Sequence, residues 1–243
     1  MNLIRERGAR RPVLNVLRVF CDSAGRFGSP LGVVLDSRSV PPERRQSLAT
    51  ELGFSETVFV DDPDTGRLRI FTPAAELPFA GHPLVGAAWL LSRHLGRPLR
   101  HVVPPSGPVL TWTSDDLVWI RAQLAVAPSW RLNHMADATA VDAMTEPLQP
   151  EQDADQFWAW IDKPAGTVPA RVFASRYGVP PDEACGSASM LLAAHLGRAI
   201  TITHGSGSLI HACPAPNGMA DVGGRVTADH WCALDVGGTG DGH

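Results

Sequence analysis

Lysine is nearly missing from this chain of 243 residues: Lys163 stands alone, and arginine supplies the rest of the 21 cationic side chains. Against 25 acidic residues this leaves a formal net charge of -4 and a pI near 6.1. No arginine cluster interleaves with aromatics, so there is no basic surface of the kind that neutralises phosphates, and nucleic acid is not an expected partner. No apolar run approaches the roughly 18 residues that span a bilayer, so no membrane partner is expected either. Cysteine is scarce: Cys21, Cys185, Cys213 and Cys232 form no CxxC pair and are too few for a disulfide scaffold, which fits a reducing, cytoplasmic setting. There is no HExxH, and His204 and His211 form no convincing metal-ligand pattern with a nearby Asp, Glu or Cys, so no metal is expected. The opening MNLIRERGARRP has four arginines but no apolar stretch behind them; residues 1–12 are expected to be a flexible tail and not a secretory signal.

What is present is a figure that occurs twice. From Ile70 to Arg97 the chain reads as a strand, a polar turn (Phe79-Ala80-Gly81-His82-Pro83) and an apolar helix over 84–95. Pro83 suits the first helical turn, where a missing N–H costs nothing. About a hundred residues on, Val172-Phe173-Ala174 reads as a strand, Pro181 to Ser187 as the turn, and 188–196 as an apolar helix. Both helices end in His-Leu-Gly-Arg (94–97 and 195–198), with glycine where a left-handed C′ residue belongs. The repeat predicts two copies of one unit, each wrapped around a buried helix. If the copies face each other, both helix N-termini aim free N–H groups into a shared cleft.

Elsewhere, alternation predicts strands over 13–20 and 31–35, joined hairpin-fashion. A helix is expected from Pro41 or Pro42 to Leu52, with Ser39 as its cap. Further strands are expected over 54–60, 109–112, 117–120, 157–161 and 200–202, and around Ile210 and Val226. Residues 127–166 are the least legible. With 44% hydrophobic residues the core is ample. The class is α+β, in two units over 13–125 and 126–243, with the last strand able to return to the first unit.

Four pieces resemble the PhzF-like isomerases, which share the diaminopimelate epimerase fold. They are Val19-Phe20 with the run from Gly28-Ser29-Pro30 to Asp36; Ser55-Glu56-Thr57-Val58-Phe59; the run from Arg69 through Phe79-Ala80-Gly81-His82-Pro83; and Asp182-Glu183-Ala184-Cys185-Gly186-Ser187-Ala188. They occur in the family's order. Departures are Ser29 where the family has Asn, Cys185 where it has Thr, and Gly205-Ser206-Gly207-Ser208 in place of a late Met-Gly-Arg-Pro segment. The resemblance implies two pseudo-symmetric domains, each a curled mixed β-sheet (a barrel) around a central α-helix, with the active site between them. It also implies a homodimer and neither metal nor organic cofactor. Glu56 falls on the acid/base position, and His82, Asp182 and Ser187 on positions that contact substrate.

Taken singly, these residues have plainer readings: Glu56 as a surface glutamate, His82 and Asp182 as turn or cap residues, Cys185 as a small buried side chain. In context, Glu56 is expected to shuttle a proton between carbons, its pKa raised by an apolar cleft walled by Val58, Phe59 and Phe79. His82 and Asp182 are expected to orient a small substrate bearing a carboxylate. Ser55, Gly81, Cys185, Gly186 and Ser187 complete the binding set. The Ala-Cys-Gly-Ser string also resembles the second cysteine motif of diaminopimelate epimerases and proline racemases, although Gly81-His82 replaces the Cys-Gly of the partner motif and the thiol pair is missing; a helix N-terminus is expected to lower the pKa of the remaining thiol. An epimerase pairing Cys185 with Glu56 therefore stays open, as does a binding protein without turnover.

Overall fold

The computed structural model describes residues 12–146, 154–174 and 184–234. The first hairpin joins β1 (Val13–Cys21) to β2 (Phe27–Val34), antiparallel. Its turn is tied by Asp22, whose carboxylate accepts from the backbone of Ala24 and Arg26 and pairs with the Arg26 guanidinium. Helix α1 (Pro42–Leu52) follows. Ser39 does not cap it: it closes a short 3-10 turn, Ser37–Ser39, by donating to the Asp36 carbonyl. Pro41 occupies the cap position, and Pro42 needs no N–H partner in the first turn.

Then come β3 (Thr57–Asp62), β4 (Arg67–Phe71) and β5 (Glu76–Leu77), and the long buried helix α2 (Gly81–Leu95). The helix begins at Gly81 rather than 84, so Pro83 lies inside its first turn and His82 belongs to the helix. Strands β6 (His101–Val102), β7 (Val109–Ser114) and β8 (Leu117–Gln123) complete the first half. The second half holds β9 (Arg131–His134), α3 (Ala138–Asp142), β10 (Asp155–Trp158), β11 (Thr167–Phe173), α4 (Gly186–Leu196), β12 (Ile200–His204), β13 (Ser208–Ala215) and β14 (Met219–Ala233). The strand expected over 157–161 is thus β10, shifted toward the N-terminus, and Ile161 beyond it is exposed.

The fold is α+β, a curled mixed sheet wrapped on central helices. Pairing runs β5-β4-β3-β2-β1-β14-β13-β12-β11-β10-β9. The pairs β2–β3, β11–β12 and β9–β10 are parallel, and the other named pairs are antiparallel. Strand β8 joins β7 to Met219–Gly224 of β14. Val103, just past β6, exchanges hydrogen bonds with Gly66, just before β4, and Leu68 within it. The first-half ladder therefore closes on itself around α2, which packs against β1, β2, β3, β6, β8 and β14. Gly86 permits that closeness: a Cβ there would sit 2.4 Å from Leu31 and 2.9 Å from Val19. Helix α4 packs against β13 and β14, and also meets α2.

Both long helices stop at the expected glycines, Gly96 (φ 64°) and Gly197 (φ 65°), each in the left-handed region. Among the described residues no helix is long and apolar enough to cross a membrane.

Candidate active site

Helix α1 ends at Gly53 in the left-handed conformation, which turns the chain through Ser55 and Glu56 into β3. This brings the Glu56 carboxylate to the first turn of α2, where Oε2 lies 3.0 Å from Nδ1 of His82. Both side chains are withdrawn from water, Glu56 at 13% and His82 at 4% exposure. The other ring nitrogen of His82, Nε2, is buried and has no hydrogen-bond partner among the described residues. A buried polar atom in that state costs about 1–3 kcal/mol unless something enters to satisfy it.

The first turns of α2 and α4 meet head to head, with Gly81 against Gly186 and Ser187. The residues at their N-caps, Ala80 and Cys185, supply no oxygen cap; the opening N–H groups of α4 face only the weakly accepting Cys185 sulfur, so both helix starts favour a stronger, anionic acceptor. The segment leading into α4 is held to the first half by Ser29 Oγ, which accepts from the Ala184 N–H at 2.8 Å. Between the helix starts lies a cleft that opens to solvent and spans about 560 Å³ when the open space at its mouth is included. Its polar groups come from Glu56, Thr72, His82, Cys185 and Ser187, and its apolar walls include Leu77, Phe79, Pro128, Trp130 and Val172.

Of the expected site residues, Glu56, Gly81, His82, Cys185, Gly186 and Ser187 all line this one cleft. Asp182 lies outside the described residues. Ser55 is buried and is not among the lining residues. Of the three expected walls only Phe79 lines the cleft; Val58 and Phe59, on β3, belong to the buried core. Trp130 and Pro128 come from the segment whose sequence shows no clear periodicity. Trp130 Nε1 donates to Ser187 Oγ at 3.2 Å, a contact no local pattern announces.

The expectation of a raised Glu56 pKa is overturned. Burial pushes it up, but the hydrogen bond and charge attraction of His82 outweigh that and hold the carboxyl below its usual range. Ser55 Oγ, buried beside it and outside strict hydrogen-bond geometry, acts in the same direction. Cys185 behaves oppositely to a thiol activated by a helix N-terminus. Burial pushes it up to about 11, more than the Ser187 hydroxyl and nearby backbone N–H groups can offset, and the Glu56 charge adds to the rise. At neutral pH the thiol therefore keeps its proton. Among the described residues no group of three or more His, Cys, Asp or Glu is placed to hold a metal ion.

Comparison with known proteins gives the family and the fold. The sequence model of the phenazine biosynthesis-like protein family matches residues 17–103. The trans-2,3-dihydro-3-hydroxyanthranilate isomerase of Pseudomonas fluorescens is 30% identical over 210 residues, covering 70% of this chain and 75% of that protein. Among solved structures, a phenazine biosynthesis protein of the PhzF family from Enterococcus faecalis superposes with a TM-score of 0.75 at 16% identity, over 93% of this chain and 99% of that one. A probable proline racemase from Agrobacterium radiobacter, with bound carbonate, gives a TM-score of 0.61 at 12% identity, over 92% of this chain and 93% of that one.

Proposed function

Given that the chain belongs to the phenazine biosynthesis-like family and is an isomerase, we propose that it moves a proton, and with it a double bond, within a small unsaturated metabolite bearing a carboxylate. The observation that carries this reading is the Glu56–His82 pair at 3.0 Å, set in a largely apolar cleft between two uncapped helix starts. The His82 pairing favours the ionised form of Glu56, which begins as the base. It takes a proton from a saturated carbon next to the unsaturation; the C–H electron pair shifts the double bond along the chain of carbons; and the protonated carboxyl returns the proton to the far carbon. Atoms and charge balance without a cofactor.

The developing negative charge is stabilised where donors are already aimed, at the N–H groups of Gly81, Gly186 and Ser187 and the Ser187 hydroxyl, which hold the substrate's carboxylate. His82 orients Glu56 and offers its ring to the substrate. Asp182 is assigned the substrate's amine or hydroxyl. The same reading carries a homodimer working in the cytoplasm, with the site between halves 13–125 and 126–243.

The relative's substrate, trans-2,3-dihydro-3-hydroxyanthranilate, is the first compound to test. In deuterated water, wild type is expected to place deuterium in the product. Glu56→Gln keeps shape and hydrogen bonding but removes the base, so exchange is expected to fall by roughly 10²–10⁴-fold while binding survives. Undiminished exchange in Glu56→Gln would sink the shuttle. An epimerase with Cys185 as second base needs a thiolate, and burial of that thiol argues against one.

A further inference from the structure

A serine hydroxyl has one proton and two lone pairs, so its neighbours decide whether it donates or accepts. Ser187 Oγ is buried at the edge of the cleft and has two close partners, Trp130 Nε1 at 3.2 Å and Cys185 Sγ at 3.4 Å. The indole N–H can only donate, so it occupies an oxygen lone pair and turns the hydroxyl proton away from Trp130. The remaining directions are the thiol and the cleft. Sulfur is a weak acceptor, and an anionic oxygen entering the cleft outcompetes it.

Trp130 is itself firmly placed. Its neighbour Arg131 is clamped by two hydrogen bonds of 2.7 Å to the fully buried Asp155, and the Arg131 N–H bonds the Ala154 carbonyl at 2.8 Å. An indole on so fixed a backbone is suited to set the direction of a proton. We infer that Trp130 is a positioning residue: its N–H holds the Ser187 hydroxyl as a donor to the substrate's carboxylate, and its ring walls the cleft against a planar unsaturated ring. This rests on the carboxylate-binding role proposed for Ser187.

Benzoate, a planar ring carboxylate, is the probe, and its binding is measured by calorimetry for wild type, Trp130→Phe, Ser187→Ala and the double variant. Trp130→Phe keeps an aromatic ring and removes the N–H. It is expected to weaken binding about tenfold, the scale of one hydrogen bond to a charged group. The double variant is expected to bind no more weakly than Ser187→Ala, because Trp130 acts through that hydroxyl. Wild-type affinity in Trp130→Phe, or losses that simply multiply, would overturn the assignment and leave the carboxylate site standing. Benzoate failing to bind wild type would overturn both. If Trp130→Phe does not fold, the indole N–H resonances of Ser187→Ala decide. One is expected to move upfield as its acceptor is lost, and an unchanged set would count against the inference.

Discussion

Gly81 and Gly186 stand back to back: a Cβ on Gly81 would lie 3.0 Å from the Gly186 backbone, and one on Gly186 would lie 3.0 Å from the His82 nitrogen. Nothing at either position is the yielding end of a side chain, so no rotamer change could make room. Alanine at either residue must push the two helix starts apart. We expect Gly81→Ala and Gly186→Ala each to cost about 1–3 kcal/mol, the range for overpacking a filled interior. Turnover should fall further than stability, because the displaced groups are the proposed anion donors. Denaturant unfolding and deuterium exchange measured together check this; a variant as stable and as active as wild type would contradict the tight contact.

The pH profile follows from the sign of the Glu56 shift. Its folded-state pKa lies below the ordinary value of 4.5, so the ionised base persists as the pH falls through that value. The acid limb of kcat/KM is therefore expected below 4.5, not near neutrality. The paired carboxylate contributes stability that is present above its unfolded pKa and is lost as pH falls through the depressed folded one. Unfolding free energies of wild type and Glu56→Gln, compared from about pH 7 down to about pH 3, should differ least at the acid end. An acid limb near neutrality would show that the His82 pairing does not hold in the working enzyme.

Cys185 tests the alternative chemistry. With its thiol pushed up to about 11, it is a packing residue at neutral pH. Cys185→Ser and Cys185→Thr are expected to keep wild-type exchange to within a few-fold, as deletion of a weak S–H contact warrants. The measurement is solvent deuterium incorporation beside Glu56→Gln. Abolished exchange in Cys185→Ser would move the assignment to a two-base epimerase, since each face of a stereocentre needs its own proton carrier.

Gln156 is fully buried on β10, directly across from Val172, and neither atom of its amide has a hydrogen-bond partner among the described residues. Replacing an unsatisfied buried amide with an apolar side chain of similar shape removes a desolvation cost of about 1–3 kcal/mol. Gln156→Met is accordingly expected to raise the unfolding free energy by roughly 1 kcal/mol in urea titration. Clear destabilisation would mean that the amide is bonded in solution, by water or by ligand.

Features governed by neighbours along the chain are legible in the sequence. The two helices, their terminal glycines, the first hairpin and the strands over 109–112 and 117–120 follow from apolar spacing and turn chemistry, which act within a few residues. The polar turns at Gly81-His82 and Gly186-Ser187 were readable as helix starts for the same reason. Among distant segments, the family resemblance brings Glu56, His82 and Ser187 to one site, but no pattern in the sequence gives the individual contacts. Glu56 and His82 are 26 positions apart, Trp130 and Ser187 57, and Ser29 and Ala184 155. The direction of the Glu56 shift is not legible in the sequence, because apolar neighbours signal burial whereas the competing imidazole arrives from another element. Trp130 stayed hidden in a segment without periodicity, since a residue facing a cleft is selected by what lies across it and not by what flanks it. Periodicity records which face of an element is buried; only the packing of α2 against α4, and the closure of the sheet around α2, decides which buried groups meet and how their charges bias one another.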